Sequence, residues 1–353
     1  MAADAGGGVK PITTGVLLAL AAAASFGITT PLIQRFGHGL GPFTIAALLY
    51  AGAAGLAVAV GRTANEAPVT RAHLPRLALV ALFGAFIAPV LLALGLRSTS
   101  GTSASLLLNL EAVFTVALGV LVHREPVGRR VVAAVLVIAV GGAVVSFAPG
   151  QVATTLVGSL LVAGATLGWA LDNTLSRPLS ELDPGQVVAG KGAIGATLSI
   201  LLALALREPL PAPPAALGVL ACGAIGYGGS LRLYLRAQRI LGSARTGSVF
   251  AVAPFLGALV ALALGEPFGG LGTVIGGAFM AFGVYLHLTE SHDHDHEHPA
   301  LTHDHPHRHD DGHHDDHVHD GLGPGMVHAH PHTHTPRAHR HAHGEDIHHQ
   351  HHG

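Results

Sequence analysis

Apolar stretches of about twenty residues recur along this chain, broken by short polar or Pro/Gly-containing connections, and each is the length a helix needs to cross about 30 Å of hydrocarbon. Ten are read, at 13–33, 41–61, 76–96, 102–122, 129–147, 154–174, 186–206, 214–235, 245–264 and 269–288. Backbone in hydrocarbon must satisfy its own hydrogen bonds, so helices are the expected form of these runs. Half of the 353 residues are hydrophobic and 11% are charged, with a mean hydropathy of +0.50. The bilayer is therefore the expected solvent. The gaps between runs are too short for soluble domains, and the single cysteine, Cys222, leaves neither a disulfide framework nor a Cys-based zinc motif. The first run exceeds a signal-peptide core in length and has only Lys10 before it, so it reads as a retained span.

Charge divides the chain into two materials. Residues 1–289 carry 16 Lys/Arg against 9 Asp/Glu, whereas 290–353 carry 3 against 12. With the N-terminus inside, the inner flanks hold Lys10, Arg62, Arg71, Arg76, Arg124, Arg129, Arg130, Arg177, Arg232, Arg236, Arg239 and Arg245. The outer flanks hold only Arg35, Arg97 and Arg207. Cations near span ends stay cytoplasmic, so the expectation is a multi-pass protein of the cytoplasmic (inner) membrane with both termini in the cytoplasm.

The chain also repeats itself. At an offset of 141 residues Gly101 falls on Gly242, Ala112 on Ala253, Phe114 on Phe255, Leu118 on Leu259 and Leu121 on Leu262. Glu125-Pro126-x-Gly128 falls on Glu266-Pro267-x-Gly269, and Thr13-Thr14 on Thr154-Thr155, with Gly27 on Gly168. Each half then holds five spans. An odd number forces the halves into opposite orientations, the inverted-repeat plan of many secondary transporters. The expected fold is all-α integral membrane: a short N-terminus (1–12), repeats at 13–147 and 154–288, and a tail at 290–353.

At these residues the chain resembles the EamA-type branch of the drug/metabolite transporter superfamily. The resemblance runs from Thr102-Ser103-Ala104-Ser105-Leu106-Leu107-Leu108-Asn109-Leu110-Glu111 to Glu125-Pro126, and through Trp169-Ala170-Leu171-Asp172-Asn173 with Arg177. It continues in Gly226-Tyr227-Gly228-Gly229-Ser230, Leu241-Gly242-Ser243-Ala244-Arg245-Thr246-Gly247 and Ala253-Pro254-Phe255. One departure stands out. The family usually has proline in the fourth span where this chain reads Glu111-Ala112, while Pro254 keeps it in the ninth. The resemblance implies small-solute transport, often export, without ATP hydrolysis.

Ionisable residues inside spans are costly and mark function by default. Glu111 lies near the middle of the fourth span and should face the bundle interior, as a proton- or cation-coupling carboxylate or as a protonated packing group. Asp172 and Asn173 close the sixth span, and Lys191 enters the seventh from the same side, so an Asp172–Lys191 ion pair is expected, as structural clamp or inner gate. The candidate transport set is Glu111, Asn109, Asp172, Asn173, Lys191 and Arg245. Arg232, Arg236 and Arg239 read as topology anchors with snorkelling side chains, Arg245 being the best anion-binding alternative. Gly185-x-x-x-x-Gly190-Lys191 imitates a phosphate loop, but Gly192 replaces the Mg²⁺-binding hydroxyl and the motif lies on a span rather than after a strand. Glu125 and Glu266, each before proline, read as caps or turn residues.

From His292 onward, 23 of 62 residues are histidine, with many Asp and too little apolar material for a core. Disorder is expected. His292, His294, His296, His298, His303, His305, His307 and His309, with His313, His314, His317 and His319, are candidate ligands for Zn²⁺, Ni²⁺, Co²⁺ or Cu²⁺. No cofactor is required, and the partners expected are lipid, a small-molecule or ion substrate and a second copy in a homodimer, with no nucleic acid. Three functions compete: an exporter of a small solute, a divalent-metal exporter loaded or sensed by the tail, and a membrane anchor whose tail buffers metal.

Overall fold

The computed structural model describes residues 11–62, 66–123, 127–147, 154–179, 182–241, 243–266 and 269–289, and four short segments of the tail. Ten helical spans are long and apolar enough to cross a bilayer: Thr13–Phe36, Pro42–Val60, Arg71–Gly95, Gly101–Val122, Arg129–Phe147, Leu156–Ser176, Pro184–Ala205, Pro213–Gln238, Thr246–Ala263 and Gly270–His287. They are called spans one to ten. All ten expected runs are present; span one extends three residues past its expected end, and span three begins five earlier. Both extensions are polar: Arg35 follows Gln34 in one, and Arg71 stands with His73 in the other. Hydropathy alone ends a span before its helix ends.

Five spans form each repeat, and the repeats pack around a pseudo-twofold axis. Spans two and seven cross each other, as do five and ten, and four and nine. The contacts of span one with span eight return as those of span six with span three. At the crossing of five and ten, a Cβ on Gly141 would lie 2.7 Å from the Gly276 carbonyl, and one on Gly276 2.7 Å from the Gly141 carbonyl. Only glycine permits this approach; such small-residue contacts bring helices together where lipid offers no hydrophobic drive.

The connections lie on two faces. Among the described residues, the tail face carries the connections at 61–62 and 66–70, 127–128, 177–179 with 182–183, and 239–241; the far face carries 37–41, 96–100, 154–155, 206–212 and 264–266. The far face is laced together. Gln34 Nε2 donates to the carbonyls of Leu96 (3.1 Å) and Thr99 (2.9 Å), Arg97 Nη2 to that of Leu40 (2.9 Å), and the Thr155 amide to that of Ser98 (2.8 Å). Glu208 accepts from the amides of Phe43 (3.2 Å) and Thr44 (2.8 Å), and Glu266 from those of Gly101 (3.1 Å) and Thr102 (3.0 Å). Each carboxylate caps the start of a span from the other repeat, where helix dipole and free amides favour an anion. On the tail face, the Asp183 amide donates to the Ala67 carbonyl at 2.8 Å, close to the repeat image of the Glu208 contact.

Local irregularities recur too. Span three winds one π-helical segment at Ala81–Ile87 and span eight another at Gly223–Gly229. Span four breaks between Leu107 and Leu110, and span nine between Phe250 and Ala253. Inside the bundle Leu49, Leu92, Leu107, Ile138, Val162 and Met280 form the main core.

In the tail, backbone segments pair as antiparallel strands, 295–298 with 337–340 and 301–307 with 328–334. The other tail residues, including His292, His294, His309, His313, His314, His317 and His319, lie outside the described residues, as do the side chains of His296, His298, His303, His305 and His307.

Candidate functional site

The site begins at the break in span four. After Leu107 the helix stops, the Asn109 side chain turns back to donate to the Leu106 carbonyl at 2.8 Å, and a second segment starts at Leu110. Glu111 thus stands in the first turn of a new helix, where the dipole favours negative charge. Its Oε1 accepts from Asn173 Nδ2 of span six at 2.7 Å. The contact joins the two repeats. Asn173 is exposed and Glu111 half-buried.

One residue earlier, Asp172 is buried and paired with the Lys191 ammonium of span seven. The expected ion pair is therefore present. Asp172 Oδ2 receives the lysine, while Oδ1 is buried and has no hydrogen-bond partner among the described residues. The carboxylate lies against Gly84, where a Cβ would fall 2.1 Å from Oδ2. Gly84 sits in the π-helical segment of span three, which departs from the i→i−4 ladder and leaves its carbonyl to side chains. Tyr50 Oη and Trp169 Nε1 (3.1 Å) both donate to it.

Those two residues begin a chain of rings. Tyr50 packs on Tyr227 with centroids 5.5 Å apart, Trp169 on Tyr227 at 6.2 Å, and Phe26 on Trp169 (6.5 Å), Tyr227 (5.8 Å) and Phe250 (5.7 Å). Tyr234 meets Phe250 edge-on at 5.2 Å. Spans one, two, six, eight and nine each contribute. Tyr50 and Trp169 are buried, whereas Phe26, Tyr227 and Phe250 keep part of their surface uncovered. Asn173, which holds Glu111, follows Trp169 by one turn of span six, so the carboxylate and the rings are linked through that helix.

Of the sequence candidates, Glu111, Asn173, Asp172 and Lys191 come together. Asn109 shapes the helix break with its side chain on its own segment. Arg245 lies in the helix Ser243–Phe250 just before span nine, but its side chain lies outside the described residues, as do those of Arg177 and Arg239 and the whole of Glu125. Glu266 is a cap, on span four rather than on its own neighbouring helix. The helix Pro184–Ala205 runs unbroken through Gly185, Gly190 and Lys191, so no phosphate-binding loop forms there. Among the described residues no three His, Cys, Asp or Glu side chains gather as metal ligands. Gly84, Phe26, Tyr50 and Phe250 were not marked as site residues by sequence; a tyrosine or phenylalanine in an apolar run reads as ordinary span.

A cavity of about 760 Å³ opens on the far face, with Gln34, His38, Arg97, Ser100 and Glu266 on its wall. Several of the lacing residues form its wall, Gln34, Arg97 and Glu266 among them.

These features meet known proteins at the level of the whole bundle. A solved crystal structure matches with a TM-score of 0.55 and 19% identity, covering 77% of this chain and 95% of the other, which shows the fold alone. A protein of Methanothermobacter thermautotrophicus described as an uncharacterized transporter is 34% identical over 233 residues, 63% of this chain. The match spans 66% of that relative's length. The profile of the EamA-like transporter family matches twice, at residues 13–147 and 156–289, once per repeat. With both repeats matched in full, the chain belongs to the EamA-like transporter family, as a membrane protein of ten spans.

Proposed function

We propose that the protein is a secondary-active transporter that exports a small solute by alternating access, with Glu111 as the coupling carboxylate. The observation that carries this is the Glu111–Asn173 hydrogen bond of 2.7 Å. It supports the reading because the ionisable group of span four meets the other repeat there, on the seam that alternating access would move. A charged carboxylate there costs on the order of 3 kcal/mol unless it binds a proton or a cation, so its occupancy biases the bundle between states. The laced far face is one closed gate, and the Asp172–Lys191 pair lies one residue along span six from the Glu111–Asn173 contact. The excess of cations on the tail face favours a cytoplasmic tail. The histidine-rich tail is an accessory in this reading, and a chain lacking 291–353 keeps its flux.

Proteoliposomes with an imposed pH gradient and a trapped pH-sensitive dye test the proposal, using amino acids, aromatic amines, quaternary ammonium ions and divalent metals in turn. At least one solute should collapse the gradient in protein-containing vesicles and not in empty ones. Silence toward every solute under either gradient direction would leave an anchor, not a transporter.

A further inference from the structure

We propose that the paired strands of the tail form a divalent transition-metal site, with the cross-strand pairs His303–His332, His305–His330 and His307–His328 as its ligands. The site lies outside the ten spans and stands whether or not they transport.

Register is the first argument. In the ladder that joins 301–307 to 328–334, His303 stands opposite His332, His305 opposite His330 and His307 opposite His328, with His334 opposite Leu301. Residues two apart on a strand share a face, so every histidine of the two strands falls on one face of the ladder. The other face holds Thr302, Asp304, Pro306, Ala329, Pro331 and Thr333. A slip of one residue would set each histidine of the first strand opposite proline, alanine or threonine, with the two histidine sets on opposite faces. The observed register sorts imidazole with imidazole. The ladder that joins 295–298 to 337–340 adds a further pair, His296 opposite His339.

Spacing is the second. Opposed residues on a ladder have Cβ atoms about 5 Å apart, and the next same-face pair follows about 7 Å along the strands. Metal–imidazole bonds of about 2 Å suit two imidazoles from such a pair, and two adjacent pairs supply the four nitrogens of a closed site. Neutral imidazole takes Zn²⁺, Ni²⁺ and Cu²⁺ in preference to Mg²⁺ or Ca²⁺, which take oxygen.

The third argument is what holds the strands together. An isolated two-stranded ribbon is marginal in water, and Pro306 and Pro331 each withhold an amide from this one. Leu301 is the only large apolar residue of either strand. Apolar burial therefore contributes little to the pairing, whereas a metal bridging the strands adds its binding free energy to folding.

The untagged full chain in detergent, with Zn²⁺ as the probe and a chromophoric chelator as competitor, tests the proposal. Two triple variants remove equal numbers of imidazoles. One carries His303→Asn, His305→Asn and His307→Asn; the other carries His313→Asn, His314→Asn and His317→Asn, at positions outside the described residues. The tightest Zn²⁺ equivalent should weaken by at least about tenfold in the first, since disturbing the support of a ligand already costs that much, and by less than about twofold in the second. Excess Mg²⁺ should leave it unchanged. The register is read separately, by nitroxide labels at Thr302→Cys and Thr333→Cys in a Cys222→Ser background, two opposed positions on the face without histidine. Zn²⁺ should broaden the spectrum of the doubly labelled chain by dipolar coupling, a chelator should reverse the broadening, and the first triple variant should lose it. Equal weakening in the two triple variants, or labels that stay uncoupled with Zn²⁺ bound, would overturn the proposal and leave chelation by histidines in no fixed arrangement.

Discussion

The two repeats share a scaffold and divide the chemistry unequally. Both wind a π-helical segment in their third span and break their fourth, and their spans meet in interchanged pairs. Yet at the 141-residue offset Glu111 falls on Val252, Asp172 on Pro31 and Lys191 on Tyr50. All three charges of the site thus have uncharged mates. Span six, which carries Asp172 and Asn173, is one continuous helix, whereas its mate, span one, is interrupted at Ile28. An unbroken helix holds two successive polar residues at fixed angles, one toward Lys191 and one toward Glu111. On the transport reading proposed above, symmetry supplies the two gates and its violation the binding chemistry.

The largest effect expected from breaking that asymmetry is at the ion pair. Lys191→Met leaves Asp172 buried without its cation and should cost about 3–5 kcal/mol, read as lost thermal stability in detergent. The double variant Asp172→Asn with Lys191→Met should recover most of it. If the double variant also transports, the pair is a clamp; if it is stable and inert, the pair is a gate. Next comes Gly84→Ala, whose methyl must displace the Asp172 carboxylate, at about 1–3 kcal/mol. Counting along the two π-helical segments, the mate of Gly84 is Gly226, where a Cβ would fall 2.0 Å from the Thr29 Cγ2 methyl, so Gly226→Ala should cost a similar amount, about 1–3 kcal/mol, through packing alone and without displacing a charge.

Glu266→Ala removes a carboxylate from two backbone amides of span four, a loss of about 1–2 kcal/mol from the far-face closure. In a Cys222→Ser background, thiol labelling of Ile45→Cys on the wall of the far-face cavity should then quicken several-fold. Unchanged labelling would mean that the cap is not part of a gate. The smallest effect is at Asn173→Ala, which removes one hydrogen bond from Glu111 in an exposed setting. Coupled flux should fall a few-fold, by about 1 kcal/mol, and persist.

Much of this was legible in the sequence for a definite reason. Charged residues in apolar runs are conspicuous, so Glu111, Asp172 and Lys191 stood out, and similar depth from one face suggested the Asp172–Lys191 pair. The Glu-Pro-x-Gly coincidence revealed the repeat. Other features depend on which helix faces meet, and no periodicity records that. Glu266 caps a helix that starts 165 residues earlier in the chain. Gly84 matters because a π-helical segment frees its carbonyl, and the substitution that would expose its role is invisible until Asp172 is seen against it. The rings come from five spans, each unremarkable alone. Asn109 belongs to the candidate transport set by sequence, while in the fold it shapes the break that places Glu111 at a helix start.

The most direct test of the account is proton movement in proteoliposomes carrying wild type or Glu111→Gln, with Glu111→Asp as the conservative partner. Once a transported solute is found, its addition should drive proton flux in the wild type, weaker flux in Glu111→Asp and none in Glu111→Gln. Solute-driven proton flux that survives in Glu111→Gln at the wild-type rate would contradict the assignment of this carboxylate as the coupling group.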